Sequence, residues 1–306
     1  MRSIGLASGA AAQTRWAPIG WWASATRAHQ FFLRTRSENQ VVNLAYVIAG
    51  SEATGGAGIQ VDLKTFQQLG VYGLGTVTCI VSFDPENDWA HRFVPIEPQV
   101  IADQIEAATS AHDVNVVKIG MLGTPATIDV VSGALAQHSF GHVVLDPVLI
   151  CKGQEPGAAL DTDNALREQI LPHATVVTPN VFEAKTLAAM DSIETVEDLT
   201  EAAQRIYELG PQYVLAKGGA ELPGEDAVDV LYDGQHTHVF SAPKVGRERV
   251  AGAGCTLAAA VTAELAKGAE VADAVQRAKT MVTEGIVGRI SAHTPFDVLL
   301  QGAHSG

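Results

Sequence analysis

Short apolar runs that alternate with amphipathic segments are the feature of this sequence that most constrains its fold. The runs at residues 114–120 and 141–147 are almost entirely apolar, which is typical of strands buried on both faces of a sheet. Segments between such runs, for example residues 98–111 and 196–209, space their apolar residues as a helix does. This alternation predicts one three-layer α/β/α domain with a mainly parallel sheet, over residues 43–291.

The individual elements follow from the same patterns and from the positions of glycine and proline. We predict strands at residues 43–49, 73–81, 114–120, 141–147, 175–177 and 213–219, and a hairpin of residues 228–232 and 237–240 around Asp233-Gly234. We predict helices at residues 59–69, 98–111, 124–137, 163–171, 181–190, 196–209, 252–267 and 270–290. A polar loop is expected over residues 82–91 and a loosely ordered C-terminal tail over residues 292–306.

Composition narrows the classes of function. The chain has 306 residues, a net charge of −14 and a pI near 5.1, which argues against nucleic-acid or anionic-membrane partners. Three cysteines without paired spacing argue against a disulfide framework or a structural zinc site, and they suit a cytoplasmic protein. No apolar run is long enough to predict a transmembrane helix.

Residues 1–42 differ in composition from the rest of the chain. They contain five arginines and a single acidic residue, Glu38. This basic extension resembles an organellar transit peptide, and the alternative is an over-extended start site or a cloning remnant. In either case we expect it to lie outside the fold.

The stretch of residues 250–267 is the strongest candidate for a reactive site. Gly252, Ala253 and Gly254 precede Cys255 and an Ala/Leu-rich helix. Small residues at a helix start leave backbone N–H groups free to bind an anion, and the helix dipole adds to that attraction. A thiol at a helix start is expected to have a lowered pKa. The alternative is a tightly packed turn before a core helix.

Further polar side chains follow predicted strands, where ligands bind in open α/β sheets. Asp146 ends one strand, and Lys217 ends another beside a Gly-Gly turn that suits phosphate binding. Asn180 and Glu183 begin a helix, where they either form a capping box or face a metal–phosphate centre. Asp62, in the first turns of another helix, is a candidate for contacting substrate, although a helix-dipole role is the simpler interpretation.

Two nucleotide-binding signatures are absent from the sequence. The glycine-rich turn at residues 50–58 contains no dinucleotide-binding fingerprint, which argues against a nicotinamide dehydrogenase. It contains no P-loop motif either. A second glycine- and proline-bearing loop, at residues 150–160, contains Cys151 and Lys152 and is either a lid or an ordinary connection.

Taken together, these motifs resemble the ribokinase-like superfamily, and within it the hydroxymethylpyrimidine kinases and the similar bacterial pyridoxal kinases. The resemblance covers roughly residues 43–290. It rests on AGSEATGGAGIQVDLKTFQQLGVYG, VKIGMLGT, LDPVLICKG, VVTPNVFEA, LAKGG and AGAGCTLAAAVTAELAKG, in this order.

The resemblance implies transfer of the ATP γ-phosphate to a hydroxymethyl group on a heteroaromatic ring, with Mg²⁺. It gives Cys255 the position of the catalytic base, and Gly252, Ala253 and Gly254 the anion hole. It places Asp146 and Glu183 around Mg²⁺ and its waters, and Asn180 and Lys217 near the nucleotide phosphates. The expected ring pocket comprises Ala57, Asp62, Val81, Met121 and Val148. A second thiol, Cys151, would assist Cys255 with the pyridoxal aldehyde, and a homodimer is expected because dimers are common in this branch.

Two departures from the pyrimidine kinases favour pyridoxal, pyridoxine and pyridoxamine as substrates. Phe83 aligns with a glutamine that binds the aminopyrimidine in those enzymes, and phenylalanine offers no polar group. Ala253 stands where they have threonine, as in the pyridoxal-type branch. The alternatives are a hydroxymethylpyrimidine or phosphomethylpyrimidine kinase, a dual activity, or a vitamer-binding regulatory protein. The retained set of reactive residues argues against a pure binding protein.

Overall fold

The computed structural model describes residues 42–149, 156–246 and 248–303, with no side-chain description at 156–159. The predictions for residues 1–41 and for Cys151 and Lys152 lie outside the described residues. Nine strands are described: β1 Leu44–Glu52, β2 Tyr72–Asp84, β3 Ala90–Pro95, β4 Val116–Ile119, β5 His142–Leu145, β6 Val176–Val177, β7 Tyr213–Lys217, β8 Asp226–Tyr232 and β9 Thr237–Pro243. The described helices are α1 Gly58–Gln68, α2 Pro98–Ala111, α3 Pro125–Gln137, α4 Pro156–Gln169, α5 Val181–Leu187, α6 Val196–Tyr207, α7 Ala253–Ala266 and α8 Val271–Val287.

The strands form one sheet in the order β3-β2-β1-β4-β5-β6-β7-β8-β9. The six strands from β2 to β7 in this order run parallel, and β3, β8 and β9 add antiparallel pairs at the two edges. The strand order reverses between β1 and β4, and such a switch point opens a crevice at the carboxyl ends of the strands. The predicted three-layer fold with a mainly parallel sheet is confirmed.

The central strands are largely apolar because helices cover both faces of the sheet, and Lys118 in β4 is a buried exception. Val116 and Val144 belong to the core that contains Leu257 of α7 and Met281 of α8. Their neighbours along β4 and β5, such as Val117 and Leu145, belong to the core of the opposite face, with the helices α2 to α6. Successive side chains of a strand point to opposite faces of the sheet. A strand that helices cover on both faces therefore carries apolar side chains in both directions.

One strand was not predicted. Residues 82–91, expected to form a polar loop, instead continue β2 to Asp84 and begin β3, which pairs antiparallel with β2. The tight connection places Asp88 and Trp89 at positive φ, 47° and 57°. Strand β3 lies at the sheet edge and is exposed along most of its length, so its sequence has no apolar alternation.

The interpretation of residues 292–306 as a loosely ordered tail is wrong for the described part of this segment. Val298 pairs with Ile290 and forms a bridge with Ala251. Leu299 and Gln301 are buried. These few residues show no apolar periodicity of their own, because they pack against elements that the rest of the domain forms.

Among the described residues, no helix is long and apolar enough to cross a bilayer.

Candidate active site

The predicted anion hole lies at the N-terminus of α7. Gly252 caps this helix with φ of 83°, in the left-handed region that favours glycine. A methyl group placed on Gly252 would come within 2.7 Å of the Gly56 carbonyl oxygen. The first helical hydrogen bond runs from the Thr256 N–H to the Gly252 carbonyl at 2.8 Å, so the N–H groups of Gly254 and Cys255 precede the helical ladder. The sequence therefore builds a backbone site that fits an anion.

A second glycine loop faces this helix end and is organised by Glu52, which the sequence analysis missed. The buried Glu52 carboxylate accepts hydrogen bonds from the Thr54 N–H at 2.6 Å, the Thr54 hydroxyl at 2.7 Å and the Gly56 N–H at 3.0 Å. These bonds fix the loop whose Gly56 carbonyl touches Gly252. A single acidic residue inside a glycine-rich turn is the only sequence signal for this role.

Cys255 lies in the first turn of α7, as predicted, but its pKa moves in the opposite direction from the expectation. Burial raises the pKa of the Cys255 thiol to about 11, although Lys118 and a hydrogen bond from the Gly58 backbone act to lower it. The expectation of a lowered pKa is therefore wrong, because burial outweighs the favourable position at the helix start. The thiol carries its proton at neutral pH.

Asp146 and Lys217, at the ends of β5 and β7, lie side by side in the fold, an ion pair that the sequence did not specify. Lys217 Nζ lies 3.1 Å from Asp146 Oδ1, and both residues are largely buried. Burial alone would raise the pKa of Asp146, but Lys217, Lys118 and the Thr178 hydroxyl hold it below its usual value. A methyl group placed on Gly254 would lie 3.3 Å from Lys217 Nζ, so this ammonium group adjoins the anion hole.

Asn180 and Glu183 form the capping box that was one of the two interpretations of their sequence. Asn180 Oδ1 accepts from the Glu183 N–H at 2.9 Å, and Glu183 Oε2 accepts from the Asn180 N–H at 2.8 Å. Capping does not isolate Glu183 from these charges, because Lys217 acts to lower the pKa of its carboxylate and Asp146 acts to raise it. Burial raises the pKa of Glu183 to about 7, which Lys217 partly opposes.

Asp62 is paired with Lys118, a residue that the sequence analysis did not single out. Lys118 Nζ lies 2.8 and 2.9 Å from the two oxygens of Asp62, and both side chains are buried. The helix-dipole interpretation of Asp62 is wrong, since this residue lies outside the first turn of α1. Burial acts to lower the pKa of Lys118, but the charges of Asp62, Cys255 and Asp146 hold it above its usual value. The one lysine inside the apolar run VNVVKIG was the available signal.

Four residues predicted for the ring pocket come from different elements near the carboxyl edge of the sheet. They are Ala57, directly before α1, Val81 in β2, Met121 after β4 and Val148 after β5. Gly50 of β1 lies near one member of this group: a methyl group placed on it would lie 3.7 Å from Met121 Sδ and 2.6 Å from Cys79 Sγ. Among the contacts of the described residues, none joins these four residues to one another. Phe83 lies further along β2, where its ring meets the edge of the His91 ring at a centroid distance of 4.6 Å.

A cleft of about 280 Å³ opens on the other side of the α7 N-terminus. Its lining includes Asn180 and Lys217, the helix start at Ala253 and Gly254, and an apolar patch of α8 around Val282. Lys279 also lines it and forms a buried ion pair with Asp229, at 2.6 Å. The cleft therefore combines an apolar wall from α8 with the positive charge of Lys217 at the N-terminus of α7.

Comparison with known proteins agrees with this geometry. Residues 52–296 match the family model described as phosphomethylpyrimidine kinase. The pyridoxine kinase of Bacillus subtilis is 47% identical over 242 residues, which cover 79% of this chain and 89% of that protein. The hydroxymethylpyrimidine/phosphomethylpyrimidine kinase of the same organism is 35% identical over 257 residues, 82% of this chain and 93% of that protein.

A solved structure gives the same picture. The pyridoxal kinase of Staphylococcus aureus, in complex with AMP-PCP and pyridoxal, superposes with a TM-score of 0.80 at 36% identity, covering 86% of this chain and 94% of that one. The fold and the site define an ATP-dependent kinase that acts on a small molecule. More particularly, the chain belongs to the phosphomethylpyrimidine kinase family.

Proposed function

We propose that this kinase phosphorylates the 5′-hydroxymethyl group of pyridoxal, pyridoxine and pyridoxamine, as in the salvage of vitamin B6. The observation that carries this choice is the identity of 47% to the pyridoxine kinase of Bacillus subtilis, against 35% to the pyrimidine kinase of the same organism. Both comparisons cover most of the two chains, so they are comparable measures of similarity.

The apolar side chain at position 83 supports the same choice. The Phe83 side chain packs against His91. The phenylalanine ring has no atom that can accept or donate a hydrogen bond to an exocyclic amine. An aminopyrimidine without such a partner would lose the hydrogen bonds that it makes in water. None of the B6 vitamers carries an amino group bonded directly to its ring, since the amine of pyridoxamine is on a methylene group, and they avoid this cost.

Catalysis in this arrangement is mainly positioning and electrostatic stabilisation. The N–H groups of Gly254 and Cys255 and the ammonium group of Lys217 surround the place where negative charge develops on the transferring phosphoryl group. The cleft lined by Asn180 and Val282 would hold the nucleotide, and the residues around Ala57 and Met121 would hold the ring. The acceptor hydroxyl would then approach the phosphoryl group beside Cys255.

The acceptor hydroxyl must lose its proton as it attacks, and Cys255 is the group that we assign as its base. With a pKa of about 11, only a small fraction of the thiol is ionised at neutral pH, but the thiolate that forms is a strong base. Lys118 and the Gly58 N–H stabilise that thiolate. In a loose phosphoryl-transfer transition state the proton leaves late, so a base that is rarely ionised suffices. Cys151, outside the described residues, is retained as the second thiol for the pyridoxal aldehyde.

The donor set is consistent with Mg²⁺ carried in by the nucleotide. Mg²⁺ is usually held by one or two carboxylates together with waters and phosphates, and Asp146 and Glu183 supply two buried carboxylates beside Lys217. Among the described residues, no group of three or more candidate side chains would hold a metal without phosphates. When bound, Mg²⁺ would neutralise phosphate charge. The homodimer and the cytoplasmic location stay predictions.

Steady-state phosphorylation with Mg-ATP of pyridoxal, pyridoxine and hydroxymethylpyrimidine, side by side, tests the proposal. A higher kcat/KM for the B6 vitamers is expected. A preference for hydroxymethylpyrimidine would show that this is a thiamine-pathway kinase and that the argument from Phe83 is wrong. Comparable rates would indicate dual activity, and binding without turnover would indicate a regulatory protein.

A further inference from the structure

The C-terminal segment of residues 297–301, which we call the C-terminal clasp, contacts the backbone that forms the anion hole. Ala251, the residue before Gly252, donates its N–H to the Asp297 carbonyl at 2.8 Å and accepts from the Leu299 N–H at 3.0 Å. Both backbone groups of Ala251 are thus held by the clasp, which fixes the chain as it enters the left-handed turn at Gly252.

The clasp also supports the facing glycine loop. Val298 exchanges hydrogen bonds of 2.8 and 2.9 Å with Ile290, so it is anchored to the end of α8. Its side chain packs against Gly56, where an added methyl group would come within 3.3 Å of Val298 Cγ2. Since the Gly56 carbonyl oxygen lies against Gly252, the clasp contacts this turn in two ways, directly through Ala251 and indirectly through Gly56.

The third contact is made by a buried polar side chain. Gln301 donates from Nε2 to Thr256 Oγ1 at 3.2 Å, and both residues are almost fully buried. Thr256 follows Cys255 and provides the first helical N–H of α7. Gln301 therefore links the clasp to the first turn of α7, at the residue next to Cys255.

We propose that the clasp positions the anion hole, and that Gln301 is a positioning residue for phosphoryl transfer. This inference rests on the proposed function, because it concerns the geometry of the same site. Misplacing reacting groups by about 1 Å can cost on the order of a hundredfold in rate. Among the described residues, neither Val298 nor Gln301 lines the nucleotide cleft, so their loss should affect the rate of transfer more than ATP binding.

The test is a double-variant cycle on the purified full-length enzyme. Gln301→Met removes the donor at similar volume, Thr256→Val removes the acceptor, and the double variant removes both. We expect each single variant to lower kcat by about tenfold or more, with KM for ATP and for pyridoxine within about twofold of the wild type. The melting temperature should fall by only a few degrees, because each single variant leaves one buried polar group unpaired. The double variant should be no slower than the slower single variant, because the two changes remove one interaction. Gln204→Met, at an exposed position of α6, is the matched control and should behave as the wild type.

Unchanged kcat in folded Gln301→Met, or losses that simply multiply in the double variant, would overturn the inference while leaving the kinase assignment intact. If Gln301→Met does not fold, the single variant Thr256→Val decides, with the same criterion. A wild type that phosphorylates hydroxymethylpyrimidine instead corrects the substrate alone, and the cycle is then run with that alcohol. A wild type that phosphorylates no alcohol overturns the proposed function, and this inference with it.

Discussion

Removing the buried lysine Lys118 should destabilise the protein far more than removing any exposed lysine. Lys118 Nζ donates hydrogen bonds to both oxygens of the Asp62 carboxylate, which is completely buried. Lys118→Met leaves this carboxylate without a counter-charge, and breaking a buried pair in this way costs about 3–5 kcal/mol. For a domain of this size, that loss lowers Tm by roughly 6–20 °C.

The dependence of this loss on pH identifies its cause. Burial already raises the pKa of Asp62 to about 6 with Lys118 present, and removing the lysine raises it further. A carboxyl group whose pKa is higher in the folded state than in the unfolded state stabilises the fold when protonated, and it loses that contribution as pH rises through the folded pKa. The difference in unfolding free energy between Lys118→Met and the wild type should therefore be larger at pH 8 than at pH 5.5.

Urea unfolding followed by circular dichroism measures these free energies without requiring activity. The double variant Asp62→Leu/Lys118→Met should recover most of the lost stability, because it removes both charges. Lys185→Met, at a partly exposed position of α5, should cost less than about 1 kcal/mol and serves as the control. A loss below about 1 kcal/mol for Lys118→Met, or a double variant less stable than the single one, would refute the argument.

Three further predictions concern catalysis. Cys255→Ala should keep the fold and lose at least about a hundredfold in kcat, measured by coupled ADP release. Because the pKa of Cys255 is about 11, kcat/KM of the wild type should rise with pH between about 6 and 9. Cys255→Asp should flatten that rise. A wild-type profile that is flat over this range would argue against the thiolate as base. Gly252→Ala should lower kcat and stability together, since φ is 83° and the methyl group would lie 2.7 Å from a carbonyl oxygen; kinetics equal to the wild type would show that this turn tolerates a shift. Phe83→Gln should raise kcat/KM for hydroxymethylpyrimidine relative to pyridoxine, and an unchanged ratio would remove Phe83 as a determinant of substrate choice.

The parallel sheet and most helices could be predicted because burial on both faces leaves a strong pattern in the sequence. Strands such as β4 and β5 consist mostly of buried apolar residues, and their boundaries are within two residues of the prediction. Strand β3 could not be predicted in this way, since an exposed edge strand places no constraint on alternation. The residues of the C-terminal clasp escaped for a similar reason, because their order depends on a groove that other elements form.

The candidate site residues could be named from the sequence, but their electrostatics could not. The sequence places Cys255 at a helix start, which favours the thiolate, and only the fold shows that burial is the larger effect. Likewise, Asp62 was visible as an acid on a helix, whereas Lys118 lies far from it in the sequence and becomes its partner because α1 and β4 both lie against β1. Pairwise charge interactions of this kind depend on contacts between distant segments, which no local pattern specifies.

The contact between Gly56 and Gly252 joins a loop near the start of the domain to a turn near its end. During synthesis, the first of these glycines leaves the ribosome long before the second exists, and the residues of the C-terminal clasp, which contact both Ala251 and Gly56, come later still. A nascent chain can therefore form β1 and α1 without acquiring an anion hole. The enzyme gains the ability to transfer phosphate only when translation of the domain is nearly complete, so products truncated before residue 297 should consume no ATP.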